Sequence, residues 1–445
     1  MSAEPSVQRQ LVNIVDNGDI VLDVTFETSA SPHRRSRNAT DSQPKLISRT
    51  AYRVSSDTLK ASSHYFLNLL SNRQFREAGI IVEAHRSLAA EGIDPSEADA
   101  SRLPSVPIVH DDDATTQADR HEPVLRDMLL ILHRKPIQTE KVFLSYAVTL
   151  AIVADRFDCV AAVARSINSS LKFRWPVTVS RPFMDDRGRE TDVEQVLRQK
   201  VFVSWLLGQP SRLWQASREL IIRGSSLWSP FAEANSQMSR TGACWNLPDG
   251  LERELQHRRE CILNAIASVQ RHFLGLYASR DRQCKLGYGS SPACDAFQLG
   301  EMIKFLTAKG LLFLVNFGPA SLDCVPDTSL LNLEDLIDTL KQLPKYQVDN
   351  HHSNCGPQVH IKPILDYIRT MLSADVVSIS QADWKRRRSD VAWKVSKCGE
   401  GTGHLFAFTR DIANDQRLRH KGSLHVNSMA KSLFTADRWD WTPEA

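Results

Sequence analysis

The sequence predicts an α+β protein in which a small sheet-and-helix module is followed by a mostly α-helical domain. Three observations lead to this prediction. Apolar and polar residues alternate over residues 20–26, which is the period of a strand with one buried face. Apolar stripes of helical spacing recur over residues 123–171. A longer apolar repeat, again at helical intervals, covers residues 251–276.

The composition is that of an ordinary globular protein. Of the 445 residues, 42% are hydrophobic and 24% are charged, which excludes a wholly disordered, collagen-like or disulfide-scaffold protein. Lys and Arg number 55 against 52 for Asp and Glu, so the net charge is only +3. Such a small surplus gives no overall basic field, and we therefore do not expect a nucleic-acid partner on this ground.

The sequence also bears on the compartment. The first residues carry no apolar segment of the signal-peptide type, and no apolar run approaches the ~20 residues of a membrane helix. The eight cysteines are spread along the chain without a secretory context. We therefore expect no membrane association, reduced cysteines and a cytoplasmic or nuclear location.

The first elements are predicted in chain order from residue 12. The strand at 20–26 is followed by a polar loop insertion at 29–48, and Tyr52 and Val54 then resume the alternation to close a hairpin. Residues 59–70 carry one apolar helical face. The triplet at 80–82 predicts a short strand.

The rest of the first domain contains a second insertion and three helices. The polar residues 83–105 predict a loop, and residues 106–113 predict a short edge segment that ends in a turn. Apolar stripes then predict helices at 123–132, 143–154 and 160–171. The first domain is accordingly placed at residues 12–170.

A helical domain is predicted at 171–380, and a basic cluster, a hairpin and a polar tail at 381–445. The helices of the domain at 171–380 are expected near residues 194–206, 249–282, 295–309, 333–343 and 361–372. The longest of them fits either a coiled-coil seam or a helix packed in a core.

Several short segments of the first domain occur in an order that matches a known family. They are residues 18–22, 52–59, 62–70, 111–113, 129–133 and 151–160. Together they resemble a BTB/POZ domain, in the version common in filamentous fungi. The resemblance implies a small sheet capped by helical hairpins, and a role in protein–protein association rather than in chemistry.

Two positions qualify the role that the resemblance implies. Ser55 and Ser56 stand where many transcription-factor BTB domains have a His and a basic residue, so a corepressor groove of that type is not expected. Phe75 and Glu77 fit the hydrophobic-x-Glu motif through which another BTB group docks cullins. The alternative is that the pattern arises by chance, from a Phe that packs under a helix end and a Glu that is exposed to solvent.

The best chemical constellation is a set of Cys and His residues in the helical domain. Cys284 and Cys294 lie ten residues apart near two predicted helix ends, and His352 and Cys355 have the spacing that lets one turn supply two ligands. Thiolate and imidazole are preferred zinc ligands, and four of them form a closed structural site. The substitute ligands would be His351, His360 and Cys324. The alternative is that these cysteines are small buried apolar residues.

No complete catalytic motif is evident, and we do not expect an enzyme. The glycine-rich residues 399–403 lack the Lys-Ser/Thr ending of a phosphate loop and fit a hairpin turn. Two basic clusters, at 33–37 and 385–388, could serve as nuclear targeting signals or as nucleic-acid contacts.

The expected function is a non-catalytic adaptor that uses its BTB/POZ-like domain to bind a protein partner or a second copy of the chain. One alternative is a substrate receptor of a cullin-based ubiquitin ligase, with Phe75 and Glu77 as the partner-binding residues. Another is a nuclear, DNA-associated transcriptional regulator that uses the basic clusters.

Overall fold

The computed structural model has a mixed α and β fold that is mostly helical, which confirms the predicted α+β class. It describes residues 10–28, 46–112, 121–140, 142–169, 173, 175–178, 192–231, 246–287, 289–317, 326–345, 347–352, 354–393, 404–415 and 423–442. The basic cluster at 33–37, the glycine-rich residues 399–403, most of the insertion at 29–48, and Cys324 lie outside the described residues.

The chain forms two compact units. The first comprises residues 1–209 and 237–247, and the second comprises residues 210–236 and 248–445. The first unit therefore extends beyond residue 170, where the sequence placed the boundary. The reason is that a helix at Val193–Leu206 packs against the helix at Leu144–Arg156.

A sheet of four strands forms the base of the first unit. The strands are β1 (Gln10–Asn13), β2 (Ile20–Thr28), β3 (Leu46–Val54) and β4 (Ser105–Asp112), in the order β1-β3-β2-β4. The predicted hairpin is confirmed, because β2 and β3 pair antiparallel, with Leu22 opposite Tyr52. The outer strands β1 and β4 run parallel to their neighbours. The short β1 was not predicted.

Seven helices of the described chain belong to this unit. They are α1 (Ser56–Ser62), α2 (His64–Ser71), α3 (Arg76–Ala90), α4 (His121–Leu132), α5 (Leu144–Arg156), α6 (Val160–Ser169) and α7 (Val193–Leu206). The three helices predicted between 123 and 171 are confirmed as α4, α5 and α6. Their apolar stripes face the core, since Met128, Ala147 and Val163 are fully buried.

The single helix predicted over 59–70 is in fact two helices that break at Ser63. The Ser63 backbone is extended, and its hydroxyl donates to the Phe157 carbonyl at 2.6 Å and accepts from the Phe66 N–H at 3.1 Å. A serine that caps the following helix in this way ends the preceding one. The apolar stripe is therefore continuous although the helix is not.

Residues 80–105 are the main error of the sequence prediction. The expected strand at 80–82 lies inside α3, and the expected loop at 83–105 contains the rest of α3, a turn of 3₁₀ helix at Ala100–Arg102 and the start of β4. This segment covers the second face of the sheet. Its residues Leu88, Ala98 and Leu103 form a small core with Val21 and Ala51 of the sheet.

Asp19 links the turn before β2 to the start of α1. Its carboxylate accepts from the backbone N–H of Ser56 at 2.7 Å and from the Ser56 hydroxyl at 2.6 Å. These bonds tie the start of α1 to the turn before β2, and they satisfy an N–H group that the helix itself leaves unpaired.

The second unit is built around one long helix. Its elements are α8 (Pro210–Arg223), α9 (Leu251–Ala278), α10 (Ser291–Ala308), α11 (Leu333–Leu340), α12 (Gln358–Met371), α13 (Gln381–Val391), β5 (Leu405–Ala407), α14 (Arg410–Asn414), α15 (Leu424–Phe434) and β6 (Arg438–Asp440). Helix α9 contacts α8, α10, α12 and α15, and its buried residues extend beyond one seam. Of the two interpretations, packing in a core is the one observed.

The C-terminal segment differs from the predicted hairpin and polar tail. Val391 ends helix α13, and β5 pairs in parallel with β6. The Trp441 ring is fully buried, and its Nε1 donates to the Ser268 hydroxyl at 2.9 Å. The tail is therefore part of the core of the second unit.

Within the described part of the chain, no helix combines the length and the apolar character that crossing a membrane requires.

Candidate metal centre

The four predicted ligands, Cys284, Cys294, His352 and Cys355, lie together in the second unit. Cys284 is in the loop after α9, and Cys294 is in the first turn of α10. His352 and Cys355 belong to the turn before α12. One sulfur or nitrogen atom from each residue lies within 4.8 Å of those from all the others. The structure thus brings three helix ends to one point, as the sequence predicted.

The three distances among Cys284, His352 and Cys355 are close to the edges of a tetrahedron around a zinc ion. Nδ1 of His352 lies 3.4 Å from Sγ of Cys284 and 3.6 Å from Sγ of Cys355. The two sulfurs are 3.8 Å apart. Zn–S bonds of ~2.3 Å and Zn–N bonds of ~2.0 Å give tetrahedral edges of about 3.8 Å between sulfurs and about 3.6 Å between sulfur and nitrogen.

The site is closed to solvent on most sides. His352 and Cys294 are 0% exposed and Cys284 is 3% exposed, while Cys355 is partly exposed. Nε2 of His352 lies 3.2 Å from the Ser290 hydroxyl. A ring that donates from Nε2 to a second partner presents the lone pair of Nδ1 to the sulfurs, which is the usual arrangement around a ligating histidine.

Two carboxylates hold the backbone of the ligand loops. Asp295 accepts from the N–H groups of Gln283 and Cys284, both at 2.9 Å. Asp349 accepts from the N–H of His352 at 3.2 Å. These roles were not predicted from the sequence. The signal was present for Asp349, because an Asp that bonds backbone N–H groups two and three residues later is a common turn former.

The three thiols do not ionise alike. Burial raises the pKa of Cys294 to about 12 and also raises the pKa of Cys355. Burial would likewise raise the pKa of Cys284, but the polar groups near its sulfur, chiefly the Ser291 hydroxyl and the Leu286 N–H, lower it overall. Adjacent thiolates repel each other, so a cation between them is what would let all three ionise together.

The substitute ligands do not join the cluster within the described residues. His351 and His360 are exposed, and the His360 ring lies against Phe273 with centroids 6.2 Å apart. The remaining candidate, Cys324, lies outside the described part of the chain.

The predicted partner-binding residues lie at the start of α3 in the first unit. Phe75 is the N-cap residue of α3 and is 43% exposed, and Glu77 is in the first turn. Burial raises the pKa of Tyr65 on α2, and the charge of Glu77 raises it further. Helix α2 contacts α3, and we call the three residues Tyr65, Phe75 and Glu77 the α2–α3 surface.

The basic cluster at 385–388 lies on α13 and has local contacts. The Arg388 guanidinium lies 4.8 Å from the centre of the Trp384 ring, and Arg387 pairs with Asp383 at 2.7 Å. Part of its charge is thus engaged within its own helix.

Comparison of the chain with family models, with curated proteins and with solved structures finds no match. Its function is therefore inferred from its own residues.

Proposed function

We propose that the protein is a non-catalytic adaptor whose first unit binds a protein partner through the α2–α3 surface. The observation that carries this proposal is the exposed ring of Phe75. Helix N-caps favour Ser, Thr, Asp and Asn, whose side chains accept from the first N–H groups. Phe75 makes no such bond. A large apolar side chain that is exposed and gives up a capping bond is well suited to contact another protein.

The order of elements in the first unit supports the same role. A hairpin of β2 and β3 is followed by α1 to α3, then by β4, and then by α4 to α6. This order fits the small sheet with helical hairpins that the resemblance to BTB/POZ domains implies. In such domains the expected activity is association with a partner protein or with a second copy.

A cullin is the specific partner class that Phe75 and Glu77 favour. The apolar ring and the carboxylate are two residues apart at the beginning of a helix, and both reach the surface. The protein would then be a substrate receptor of a cullin-based ubiquitin ligase. The DNA-associated alternative stays a prediction that rests on the basic clusters.

The test replaces Phe75 and Glu77 by Ala in the tagged full chain. We expect the double variant to lose a defined partner, with cullins sought among the partners by mass spectrometry, while its melting temperature is kept. The control replaces Val82 and Glu83, an exposed apolar–acidic pair later on α3. Equal partner recovery with both variants would contradict a role for this surface.

Self-association is tested by light scattering during size-exclusion chromatography over a range of concentrations. The full chain is needed, because a fragment ending near residue 175 would remove α7 from its contact with α5. A strict monomer, together with no partner that depends on Phe75, would count against the adaptor proposal.

We further propose that the Cys3His cluster binds one zinc ion with a structural role. All four ligands would come from the protein, which leaves no open position for water or substrate, as in structural sites. The ion would join the end of α9 to the starts of α10 and α12. Its binding energy would add to the stability of the second unit.

Metal analysis of the purified chain tests this proposal. We expect about one zinc per chain. Cys355→Ser should remove the metal and lower the melting temperature, whereas Cys261→Ser, at a cysteine outside the cluster, should keep the metal. A protein that is free of metal and loses no stability on prolonged treatment with a chelator would overturn the zinc assignment.

A further inference from the structure

The first unit contains a cavity of about 860 Å³ where the ends of α1, α4 and α6 meet. Its apolar lining residues are Ala61, Ile131, Leu132, Pro136, Ile137 and Ala162. Its basic lining residues are Arg134, Lys135 and Arg165. We call this cavity the basic groove.

The charge of the basic groove has one sign. Its three basic residues are exposed, and no Asp or Glu is found among the described residues that line it. Arg134 and Lys135 follow the end of α4, and Arg165 lies on α6, where its Nε also donates to the Ala161 carbonyl at 3.3 Å. A concave surface lined by one sign of charge concentrates ligands of the opposite sign.

Arg134 has a backbone conformation that would favour glycine. Its φ is 57°, and the N–H of Lys135 bonds back to the Leu130 carbonyl at 2.8 Å. This is the turn with which many helices end, and glycine is the usual residue at the left-handed position. An arginine there costs stability relative to glycine. Arg134→Gly would therefore remove the side chain without straining this turn.

The lining indicates the class of ligand. Single-stranded nucleic acids are held by aromatic rings on which bases stack, and the described lining residues include no aromatic ring. Basic and apolar side chains both line the groove, which fits a peptide that carries both carboxylates and aliphatic side chains. Such a peptide would bury its aliphatic groups and pair its carboxylates with the basic residues.

We propose that the basic groove binds an acidic, aliphatic segment of a partner protein. The inference rests on the proposed adaptor function in that it names the chemistry of one partner. The groove shares no residue with the α2–α3 surface, so the two sites are tested separately.

The test selects short random peptides displayed on phage against the full-length protein. Fluorescein-labelled copies of the enriched peptides are then titrated by fluorescence polarisation. We expect enrichment of Asp and Glu next to Leu and Ile. Arg134→Gly combined with Lys135→Ala should weaken binding about tenfold, as expected for losing one or two charge-assisted contacts. The melting temperature should not fall, because glycine suits the left-handed position.

The matched control is Arg280→Ala combined with Lys362→Ala, which removes the same net charge at exposed sites of the second unit. It should leave peptide affinity unchanged. No acidic enrichment, an equal loss in the control, or displacement of the peptides by an oligouridylate RNA of the same charge would overturn the proposal. Peptide binding that depends on Arg134 would stand even if the variants at Phe75 and Glu77 lost no partner, which separates the two proposals.

Discussion

At the scale of single residues, Arg258 of α9 holds together segments that are distant in the sequence. Its guanidinium donates to the carbonyls of Val376 at 3.0 Å, Ser378 at 2.6 Å and Val391 at 3.1 Å. It also pairs with Glu254 at 2.7 Å. A buried charge is tolerated when its donors are paired in this way.

The neighbouring Arg259 does the same for other segments. It donates to the carbonyls of Ile221 at 2.8 Å and Thr328 at 2.7 Å, and it also bonds the Leu331 carbonyl. Burial lowers its pKa to about 10, which still leaves it charged at neutral pH. Two consecutive residues of one helix thus bond to backbone carbonyls of helix ends and loops that would otherwise be unpaired.

Arg258→Ala should lower the free energy of unfolding by about 3–5 kcal/mol, because it leaves Glu254 buried without its cation. Denaturant unfolding of the full chain measures the change. Arg253→Ala, earlier on the same helix and exposed, should cost no more than about 0.5 kcal/mol. Similar losses in the two variants would contradict the role given to Arg258.

At the scale of elements, the sequence predicted those helices whose apolar residues recur regularly. Helices α4, α5, α6 and α9 are of this kind. Helix α3 was missed because three consecutive apolar residues at 80–82 imitate a strand, while the helical spacing of Ala78, Ile81 and Leu88 extends over polar residues. Whether such a segment forms a strand or a helix depends on how it packs against the sheet, and a single sequence does not show that packing.

The four residues of the Cys3His cluster could be predicted from the sequence, but the groups that surround them could not. The close pair of His352 and Cys355 pointed to a site, and the wide spacing of Cys284 and Cys294 is bridged by the start of α10. Ser290 and Asp295 support the ligands from positions fixed by the fold. Their roles depend on contacts between segments that are distant in the sequence, so no local sequence pattern indicates them.

Two glycine substitutions should change stability in opposite directions. Gly275 lies within α9, and an added Cβ would meet nothing within 4 Å, so Gly275→Ala should stabilise the protein by about 0.5–1 kcal/mol. Gly224 has a φ of 85°, and an added Cβ would lie 1.8 Å from the Ser329 carbonyl oxygen. Gly224→Ala should therefore destabilise it. Thermal unfolding compares the two, and shifts of the same sign would contradict the packing described.

At the scale of the whole molecule, two half-buried histidines make stability depend on pH. Burial lowers the pKa of His133 and of His272 below the ordinary value of 6.5. The Nε2 atom of His133 accepts from the Ser55 N–H at 3.1 Å, and its Nδ1 donates to the Leu129 carbonyl at 2.8 Å. The neutral ring is therefore the form that fits the fold.

Stability should fall as the pH drops below about 6.5, because the unfolded chain then binds protons that the folded chain does not. Unfolding curves between neutral and mildly acidic pH measure this slope. His133→Gln, which can keep both hydrogen bonds without titrating, should give a flatter slope. An equally steep slope in this variant would show that His133 does not contribute.

The spacing of the metal ligands also determines how the second unit would respond to a stretching force. Cys284 and Cys355 are 71 residues apart in the chain. A bound ion would cross-link the two ends of this segment, so a pulling force could not extend the segment until the metal–ligand bonds broke. In an optical trap, unfolding of the second unit would extend the zinc-bound chain by about 250 Å less than the metal-free chain, given ~3.5 Å per residue. The remaining extension would follow in a separate, later step when the metal–ligand bonds break.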